Sequence, residues 1–281
     1  MKKFLLILVL FFTVSVRADD VILMIGDGMG ANHLKCAAMD QPLFITSLPV
    51  KGMVHTYSAN SKVTDSAAAA TAFACGQKTN NHFVGKLPDK TDCVTLAEEA
   101  VEKNYAVGIY SNDVSTGATP AAFFAHTTDR LNRRVIEAYK IKASRTMDIA
   151  APVNKISDEV DVRLDKLSNK SDKGFFAVFE GAKIDKASHI NELNTMKQEV
   201  YDFDEAVKKA YNFVDNHPNA TLVVLADHET GGLTESCQYT THNHTGQDIP
   251  VYAFGKHADL FMGNQENTAI HDKIKQILFT E

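Results

Sequence analysis

Acidic residues and a histidine directly follow three short apolar runs of this sequence. Asp27 follows the first run, Glu180 follows the second, and Asp227 and His228 follow the third. Short continuous apolar runs are typical of buried parallel strands, and ligands bind beyond the carboxyl ends of such strands. We therefore expect these side chains to lie close together, where carboxylate oxygens and an imidazole nitrogen would bind metal ions.

A second group of candidate ligands lies elsewhere in the chain. Asp185 and His189 are spaced i, i+4, so on a helix both side chains point to one side and can hold one metal ion. His244 offers a further imidazole, and His242 is the alternative two residues earlier. Each feature alone is common on a solvated surface. Together with the acids after the apolar runs, they form a nitrogen and oxygen ligand set suited to zinc, with spare hard oxygens suited to magnesium.

Ser66 is the candidate nucleophile. It follows Thr64 and Asp65 and precedes an alanine run that predicts a helix, so either preceding residue could simply be the N-cap. On the functional interpretation, Ser66 lies at the positive end of that helix with small side chains behind it, where a phosphoryl group can approach. The chain contains no G-x-S-x-G motif, so metal coordination remains the obvious way to activate the hydroxyl.

The glycine-rich segment 26–30 resembles a dinucleotide loop but lacks its final spacing. It reads G-D-G-M-G rather than G-x-G-x-x-G, and the Asp27 carboxylate would lie near the pyrophosphate that such a loop attracts. The glycines favour a sharp turn that directs the carboxylate toward a cation, or else only a tight turn between a strand and a helix.

Alternating strand and helix patterns must position these residues. Strands are predicted at 21–25, 106–110, 175–179 and 221–226, with 251–254 as a fifth candidate, and helices at 32–38, 66–75, 94–103, 191–214 and 268–278. This alternation predicts an α/β fold of three layers, with a mostly parallel doubly wound sheet and helices on both faces. The segment 131–173 is polar and weakly patterned, and we interpret it as a surface excursion.

The N-terminal segment predicts that the protein is exported. Residues 1–18 have a basic start, an apolar core and a small-x-small exit, which predicts a signal peptide; an uncleaved anchor is the alternative. Residues 19–281 then form one catalytic domain, periplasmic or secreted. The net charge of the full chain is −6, and residues 1–18 hold basic residues but no acidic ones. An acidic protein argues against nucleic acid and anionic membranes as partners.

Four cysteines fit an oxidising compartment. They are Cys36, Cys75, Cys93 and Cys237, and none forms the C-x2-C spacing of a zinc knuckle. One or two disulfides are expected, and the sequence does not choose among the three full pairings.

Seven short motifs follow one another from about residue 20 to residue 255. They are IGDGMG at 25–30, TDSAA at 64–68, ATPAA at 118–122, HTTDR at 126–130, EGAKIDKASH at 180–189, ADHETGG at 226–232 and HTGQ at 244–247. These motifs resemble those of the alkaline phosphatases and occur in that family's order.

The resemblance implies two zinc ions and one magnesium ion, with ligands at matching positions. The first zinc would be held by Asp185, His189 and His244, the second by Asp27, Asp227 and His228, and magnesium by Asp27, Thr119 and Glu180. Arg130 would bind the phosphate, and Ser66 would attack phosphorus to form a phosphoserine. The implied reaction is hydrolysis of small phosphate monoesters to an alcohol and inorganic phosphate.

Two other functions are consistent with parts of the pattern. A phosphodiesterase of the same superfamily would use two zinc ions, but its nucleophile is typically threonine and Arg130 would be unexpected. A non-catalytic protein of the cell envelope that binds metal or phosphate would tolerate loss of Ser66 or Arg130, and both are present.

The chain departs from the family pattern in two respects. The interval between His228 and His244 is short, where many relatives carry a crown insertion at the dimer interface. The sequence therefore leaves open whether the protein is a monomer or a homodimer. Gly117 stands two residues before Thr119, where relatives have Asp or His. We therefore expect Lys186 to be unpaired and to reach bound phosphate through water, with magnesium held loosely; the alternative is that Gly117 only permits a tight turn.

Overall fold

The computed structural model describes residues 19–280, which form one large sheet, one small sheet and the surrounding helices. The strands are β1 (Asp20–Gly26), β2 (Val50–His55), β3 (Ala106–Ser111), β4 (Asp148–Ala150), β5 (Phe175–Gly181), β6 (Ala220–Leu225), β7 (Glu229–Thr230), β8 (His244–Thr245), β9 (Ile249–Gly255) and β10 (Gly263–Glu266). The helices are α1 (Ala31–Ala38), α2 (Ser66–Cys75), α3 (Leu96–Glu102), α4 (Ala118–Ala121), α5 (Arg133–Ala143), α6 (Ile156–Ser168), α7 (Lys183–His189), α8 (Leu193–Asp215) and α9 (Asn267–Phe279). The predicted signal peptide, residues 1–18, lies outside the described residues.

The large sheet has the strand order β10-β2-β9-β6-β1-β5-β3-β4. Among these strands only β9 runs antiparallel to its neighbours, and all other pairs are parallel. Helices α1, α6 and α7 each contact α8 and form one group with it. Helices α2, α3, α4 and α9 form a second group, and both groups contact the central strands. The predicted α/β class with a mostly parallel sheet is confirmed.

Residue patterns explain the central elements. Every residue of β1 and β5 is buried, as expected for strands covered on both faces. The buried residues of α8 recur at intervals of three or four, from Met196 through Val200 and Phe203 to Val214, so one face of this helix packs inward. The strands predicted from the four main apolar runs, and the fifth candidate at 251–254, all form within a residue or two of the expected bounds.

Helix α2 is buried along its whole length. Its N-cap is Asp65, whose side chain accepts a hydrogen bond from Ala68 N, and it ends at Gly76 with φ +70°. Added Cβ atoms at Gly76 would meet the ring of His271 within 2.4 Å, so only glycine fits there without movement. Alanine predominates in this helix because it packs between α4 and α9.

The interpretation of residues 131–173 as a surface excursion is wrong for its second half. Strand β4 pairs with β3 and extends the large sheet, and α6 packs on α8. The apolar residues Ile156, Val160 and Leu164 of α6 are fully buried. They recur at i, i+4, but the exposed Val162 lies among the charged residues of the opposite face and reduces the contrast between the two faces.

Two disulfides join the four cysteines as Cys36–Cys237 and Cys75–Cys93. The first connects α1 with the chain between β7 and β8, and the second connects the end of α2 with the residues before α3. Within residues 19–280, no helix has both the length and the hydropathy that crossing a membrane requires.

Phe203 offers a test of how α8 supports the strand that carries Glu180. Its ring is fully buried and lies against Gly181 of β5, where an added Cβ would approach it to 2.8 Å. We expect Phe203→Ala to lower the free energy of unfolding by about 3–5 kcal/mol, because it leaves a cavity between α8 and the sheet. Val162→Ala, at a position that is 65% exposed, should change it by less than about 0.5 kcal/mol. Equal losses in urea titrations of the two variants would contradict this packing role.

Candidate active site

The acidic residues that follow the apolar runs converge at one edge of the large sheet. In the parallel register, Ile25 of β1 lies between Glu180 of β5 and Leu225 of β6. Asp27 therefore emerges beside Glu180, and Asp227 two residues after Leu225. Gly28 N donates to Asp227 Oδ1 over 3.1 Å, which links the turn after β1 to the turn after β6.

One group of ligand atoms consists of Asp185, His189 and His244. His189 Nε2 lies 3.1 Å from His244 Nε2 and 3.3 Å from Asp185 Oδ2, and His244 Nε2 lies 3.6 Å from Asp185 Oδ1. Ligands of a tetrahedral zinc ion, bound at about 2.0–2.2 Å, are spaced about 3.3–3.6 Å apart. Two of the three separations fall in this range and the third is slightly shorter, so these side chains are close enough to hold one metal ion.

A second group consists of Asp27, Asp227 and His228, and Ser66 borders it. His228 Nε2 lies 3.3 Å from Asp227 Oδ2, 3.5 Å from Asp27 Oδ1 and 3.1 Å from Ser66 Oγ. The ring of His228 stacks on the ring of His244 with 3.6 Å between centroids, so the two groups are adjacent. The structure thus brings all six predicted zinc ligands and Ser66 to one place.

A third set of oxygens surrounds Glu180. Ser111 Oγ donates a short hydrogen bond to Glu180 Oε2, because the parallel register sets Ser111 directly opposite Glu180. Thr119 lies in α4 with its hydroxyl buried. Carboxylate and hydroxyl oxygens are hard ligands that suit magnesium.

Several buried polar atoms at this edge have no hydrogen-bond partner among the described residues. They are Asp27 Oδ1, Asp227 Oδ2 and Thr119 Oγ1. Such atoms cost free energy unless something satisfies them, and each belongs to one of the predicted ligand sets. The residues present therefore fit bound divalent metal ions.

The raised pKa values of the buried carboxyl groups also indicate a cation site. Burial, followed by the charge of Asp227, raises the pKa of Asp27 well above its ordinary value. Burial also raises the pKa of Glu180 to about 7, although the hydrogen bond from Ser111 opposes the shift. Carboxylates that repel one another in a buried site are stabilised as anions when cations bind between them.

His228 is in the neutral form that metal binding requires, whereas the hydrogen bond with Asp185 raises the pKa of His189. Burial lowers the pKa of His228 to about 4, so its imidazole is neutral at pH 7 and can offer a lone pair. Burial alone would raise the pKa of Asp185, but the hydrogen bond with His189 and the nearby His228 outweigh it and hold that pKa below its usual value. Asp185 also accepts a hydrogen bond from Thr230 Oγ1 at 2.5 Å, which orients the carboxylate.

Asp65 connects Ser66 to Arg130. Asp65 caps α2, as the structural interpretation of the sequence predicted, and its Oδ2 also accepts hydrogen bonds from Arg130 Nη1 at 3.1 Å and from His82 N at 3.0 Å. Arg130 N in turn donates to His82 O. The guanidinium is therefore held beside the helix terminus where Ser66 stands.

The prediction that Lys186 is unpaired is wrong. Its Nζ lies 2.5 Å from Asp113 Oδ1, so the carboxylate missing at Gly117 is supplied from four residues earlier in the chain. Gly117 has φ −58°, which any residue adopts, but an added Cβ would lie 2.9 Å from Val114 O. The prediction of loosely held magnesium remains untested.

His244 and His242 have different roles in the structure. His244 Nδ1 bonds to Thr64 O at 3.0 Å, which leaves Nε2 facing His189. His242 bonds instead to the backbone of His189, from ring to carbonyl at 2.9 Å, and its own carbonyl accepts from His189 Nδ1 at 2.6 Å. His242 therefore orients a candidate ligand, and His244 is itself the candidate.

Sequence reasoning missed the residues that support the ligands. Ser111, Asp113 and Thr230 carry ordinary polar side chains, and their partners become visible only when neighbouring strands are aligned. A signal existed for Thr230 alone, because it lies two residues after His228 within the motif at 226–232.

Comparison with known proteins identifies the chain's relatives. A family model described as "Alkaline phosphatase" matches residues 18–164, 138–242 and 235–280. An alkaline phosphatase of Schizosaccharomyces pombe is 29% identical over an alignment that covers 76% of this chain and 56% of that protein. Alkaline phosphatase 3 of Bacillus subtilis is 23% identical, with 92% of this chain and 88% of that protein covered. The chain thus spans little more than half the length of the yeast relative.

Solved structures show the same architecture. The alkaline phosphatase of the Antarctic bacterium TAB5 superposes with a TM-score of 0.86 and 25% identity, covering 94% of this chain and 99% of that one. A cold-active alkaline phosphatase from Shewanella sp. also has a TM-score of 0.86 and 25% identity, covering 92% of this chain and 99% of that one.

Substitution of the two neighbouring histidines distinguishes their roles. We expect His244→Ala to bind one metal ion fewer than the unaltered protein, because it removes an imidazole from a three-ligand group. His242→Ala retains the backbone carbonyl that orients His189 and should keep the full metal content. Elemental analysis after gel filtration measures both, and a deficit in His242→Ala alone would reverse the assignment.

Proposed function

Because the chain belongs to the alkaline phosphatase family, we propose that this protein is an enzyme that hydrolyses phosphate monoesters to an alcohol and inorganic phosphate. The observation that carries the proposal is the position of Ser66. Its hydroxyl lies 3.1 Å from His228 Nε2, within a buried group of metal ligands and at the N-terminus of a ten-residue helix. Such a hydroxyl can be ionised by a bound cation, and the helix terminus favours an anionic substrate.

The proposed cofactors are two zinc ions and one magnesium ion. Asp185, His189 and His244 would hold the first zinc, Asp27, Asp227 and His228 the second, and Asp27, Thr119 and Glu180 the magnesium. Bound there, the ions would neutralise the phosphate and lower the pKa of attacking groups. Among the structural neighbours, a variant of the TAB5 enzyme in which aspartate replaces a histidine has Mg bound in a site named M3. This supports a magnesium position in the family.

The residues of the chain would perform the reaction in two displacements. Arg130, held by Asp65, presents two N–H groups to two phosphate oxygens. Ser66 loses its proton to solvent, Oγ bonds to phosphorus, and the bond from phosphorus to the ester oxygen breaks; this oxygen takes a proton from solvent and leaves as the alcohol. Water then attacks the phosphoserine and loses a proton, the bond between Oγ and phosphorus breaks, Oγ is protonated again, and phosphate is released. Positioning and neutralisation of charge are most of what phosphoryl transfer requires.

Lys186 would add positive charge beside the phosphate. Its side chain is 54% exposed, and that of Asp113 is 27% exposed, so the pair is accessible to solvent and weak. The ammonium group can therefore exchange part of its interaction with Asp113 for an interaction with bound phosphate.

The proposed location is outside the cytoplasm. The four cysteines form two disulfides, and disulfides persist in oxidising compartments such as the periplasm and the extracellular space. The proposed substrates are small phosphate monoesters, and a homodimer remains a prediction.

Replacement of Ser66 tests the nucleophile. We expect Ser66→Ala to reduce turnover of an aryl phosphate by at least about a thousandfold, because it removes the covalent step. It should also abolish trapping of labelled phosphate on the protein at mildly acid pH. Ser168→Ala, at the exposed end of α6, is the control and should leave both unchanged. Undiminished labelling of Ser66→Ala would contradict the proposal, and faster hydrolysis of a diester than of the monoester would indicate a phosphodiesterase.

Replacement of Asp113 tests the role of its ion pair. We expect Asp113→Asn to lower the inhibition constant of inorganic phosphate about two- to fivefold, because Lys186 no longer divides its interaction between the carboxylate and phosphate. The double variant Asp113→Asn, Lys186→Met should lose this gain. Equal inhibition constants in the two variants would show that Lys186 does not reach phosphate.

A further inference from the structure

The chain between β7 and β8 closes over the first ligand group. We call residues 231–243 the hairpin loop, because β7 and β8 pair antiparallel and Thr230 lies opposite His244. Glu229 holds the base of the loop: its carboxylate accepts from Gly232 N at 3.2 Å, from Leu233 N at 2.9 Å and from Thr245 Oγ1. The position of His244 is therefore set by how this loop is held.

The hairpin loop also sets the position of His189. The carbonyl of His242, within the loop, accepts from His189 Nδ1, so His189 directs Nε2 toward His244. Tyr239, also in the loop, donates to Ser188 Oγ at 3.3 Å. Two of the three ligands in the first group thus depend on the loop. The second group does not, because Asp27, Asp227 and His228 follow strands of the large sheet.

Helix α1 anchors the hairpin loop from the other side. Asn32 Nδ2 donates to Leu233 O at 2.7 Å, and Lys35 forms an exposed ion pair with Glu235. The disulfide Cys36–Cys237 joins the middle of the loop to the same helix. Cys36 is fully buried, and Leu233, Cys237 and Tyr239 of the loop pack in or against the core. Among the described residues, the disulfide is the loop's one covalent link to the rest of the chain besides the backbone at its two ends.

We propose that the Cys36–Cys237 disulfide is a positioning device for the first zinc site: it holds the hairpin loop so that His189 and His244 stay at ligand spacing. The proposal rests on the proposed function in that it takes zinc as the metal. Loss of the disulfide would weaken the first site and leave the second unaffected. Supporting groups around a metal site commonly change its affinity by about 10–100-fold.

The second disulfide provides a matched control. Cys75–Cys93 joins the C-terminal end of α2 to the residues before α3 and makes no contact with the hairpin loop among the described interactions. The variants Cys36→Ala, Cys237→Ala and Cys75→Ala, Cys93→Ala each lack one disulfide, so general effects of removing a crosslink appear in both.

Zinc release to a chromogenic chelator tests the proposal without relying on activity. From the zinc-loaded protein lacking Cys36–Cys237, we expect one zinc equivalent to leave at least about tenfold faster than from the unaltered protein, and the other at an unchanged rate. The protein lacking Cys75–Cys93 should match the unaltered protein. Equal release from all three, or equal acceleration of both equivalents, would overturn the proposal. If the unaltered protein bound no zinc, both this proposal and the proposed function would be overturned.

A noncovalent variant serves if the first double variant fails to fold. Asn32→Ala removes the hydrogen bond to Leu233 O while both disulfides remain. It should accelerate release of the same single zinc equivalent, by a smaller factor. The acceleration should be stronger after a water-soluble trialkylphosphine reduces the disulfides to thiols and, taking oxygen from water, is itself oxidised to the phosphine oxide. Release unchanged both before and after reduction would contradict the proposal.

Discussion

Buried negative charge at the carboxyl edge of the sheet is the constraint on which the rest of this structure depends. Each carboxylate taken out of water costs several kcal/mol unless positive charge compensates it. The nearby cationic side chains are already engaged, Arg130 with Asp65 and Lys186 with Asp113. The divalent ions of the proposed function would supply the missing charge. The carboxylates concerned are Asp27, Glu180, Asp185 and Asp227.

The two groups proposed to hold zinc are built on different supports. The second group follows strands inside the sheet, and its histidine is completely buried. The first group combines a short helix with a hairpin, and the side chain of His189 is 38% exposed. Ser66 adjoins the buried group, and the more exposed group would offer the route by which the alcohol leaves and water enters. This division places rigidity where Ser66 must be aligned and access where small molecules must exchange.

The sequence predicted the parts of the molecule in which local pattern and global position agree. The apolar run before Asp27 needs no partner to be recognised as a strand, and parallel strands necessarily bring their ends together. Helix α6 and strand β4 were missed because their burial depends on α8 and β3, far away in sequence. The pairing of Lys186 with Asp113 was missed for a related reason: a carboxylate absent at one position was replaced from a neighbouring turn. The sequence therefore predicted which residue types the site contains. It did not predict that a carboxylate from another position, Asp113, would pair with Lys186.

Helix α2 is fastened at both ends. Asp65 ties its N-terminus to Arg130, and the disulfide of Cys75 ties its C-terminus to the chain before α3. Because its flanks are also filled with small buried side chains, the helix cannot slide along its own axis or rotate without breaking one of these ties. The structure thus restrains Ser66 through both ends of its helix, and we expect the motions that admit substrate or release product to occur in the segments that surround it.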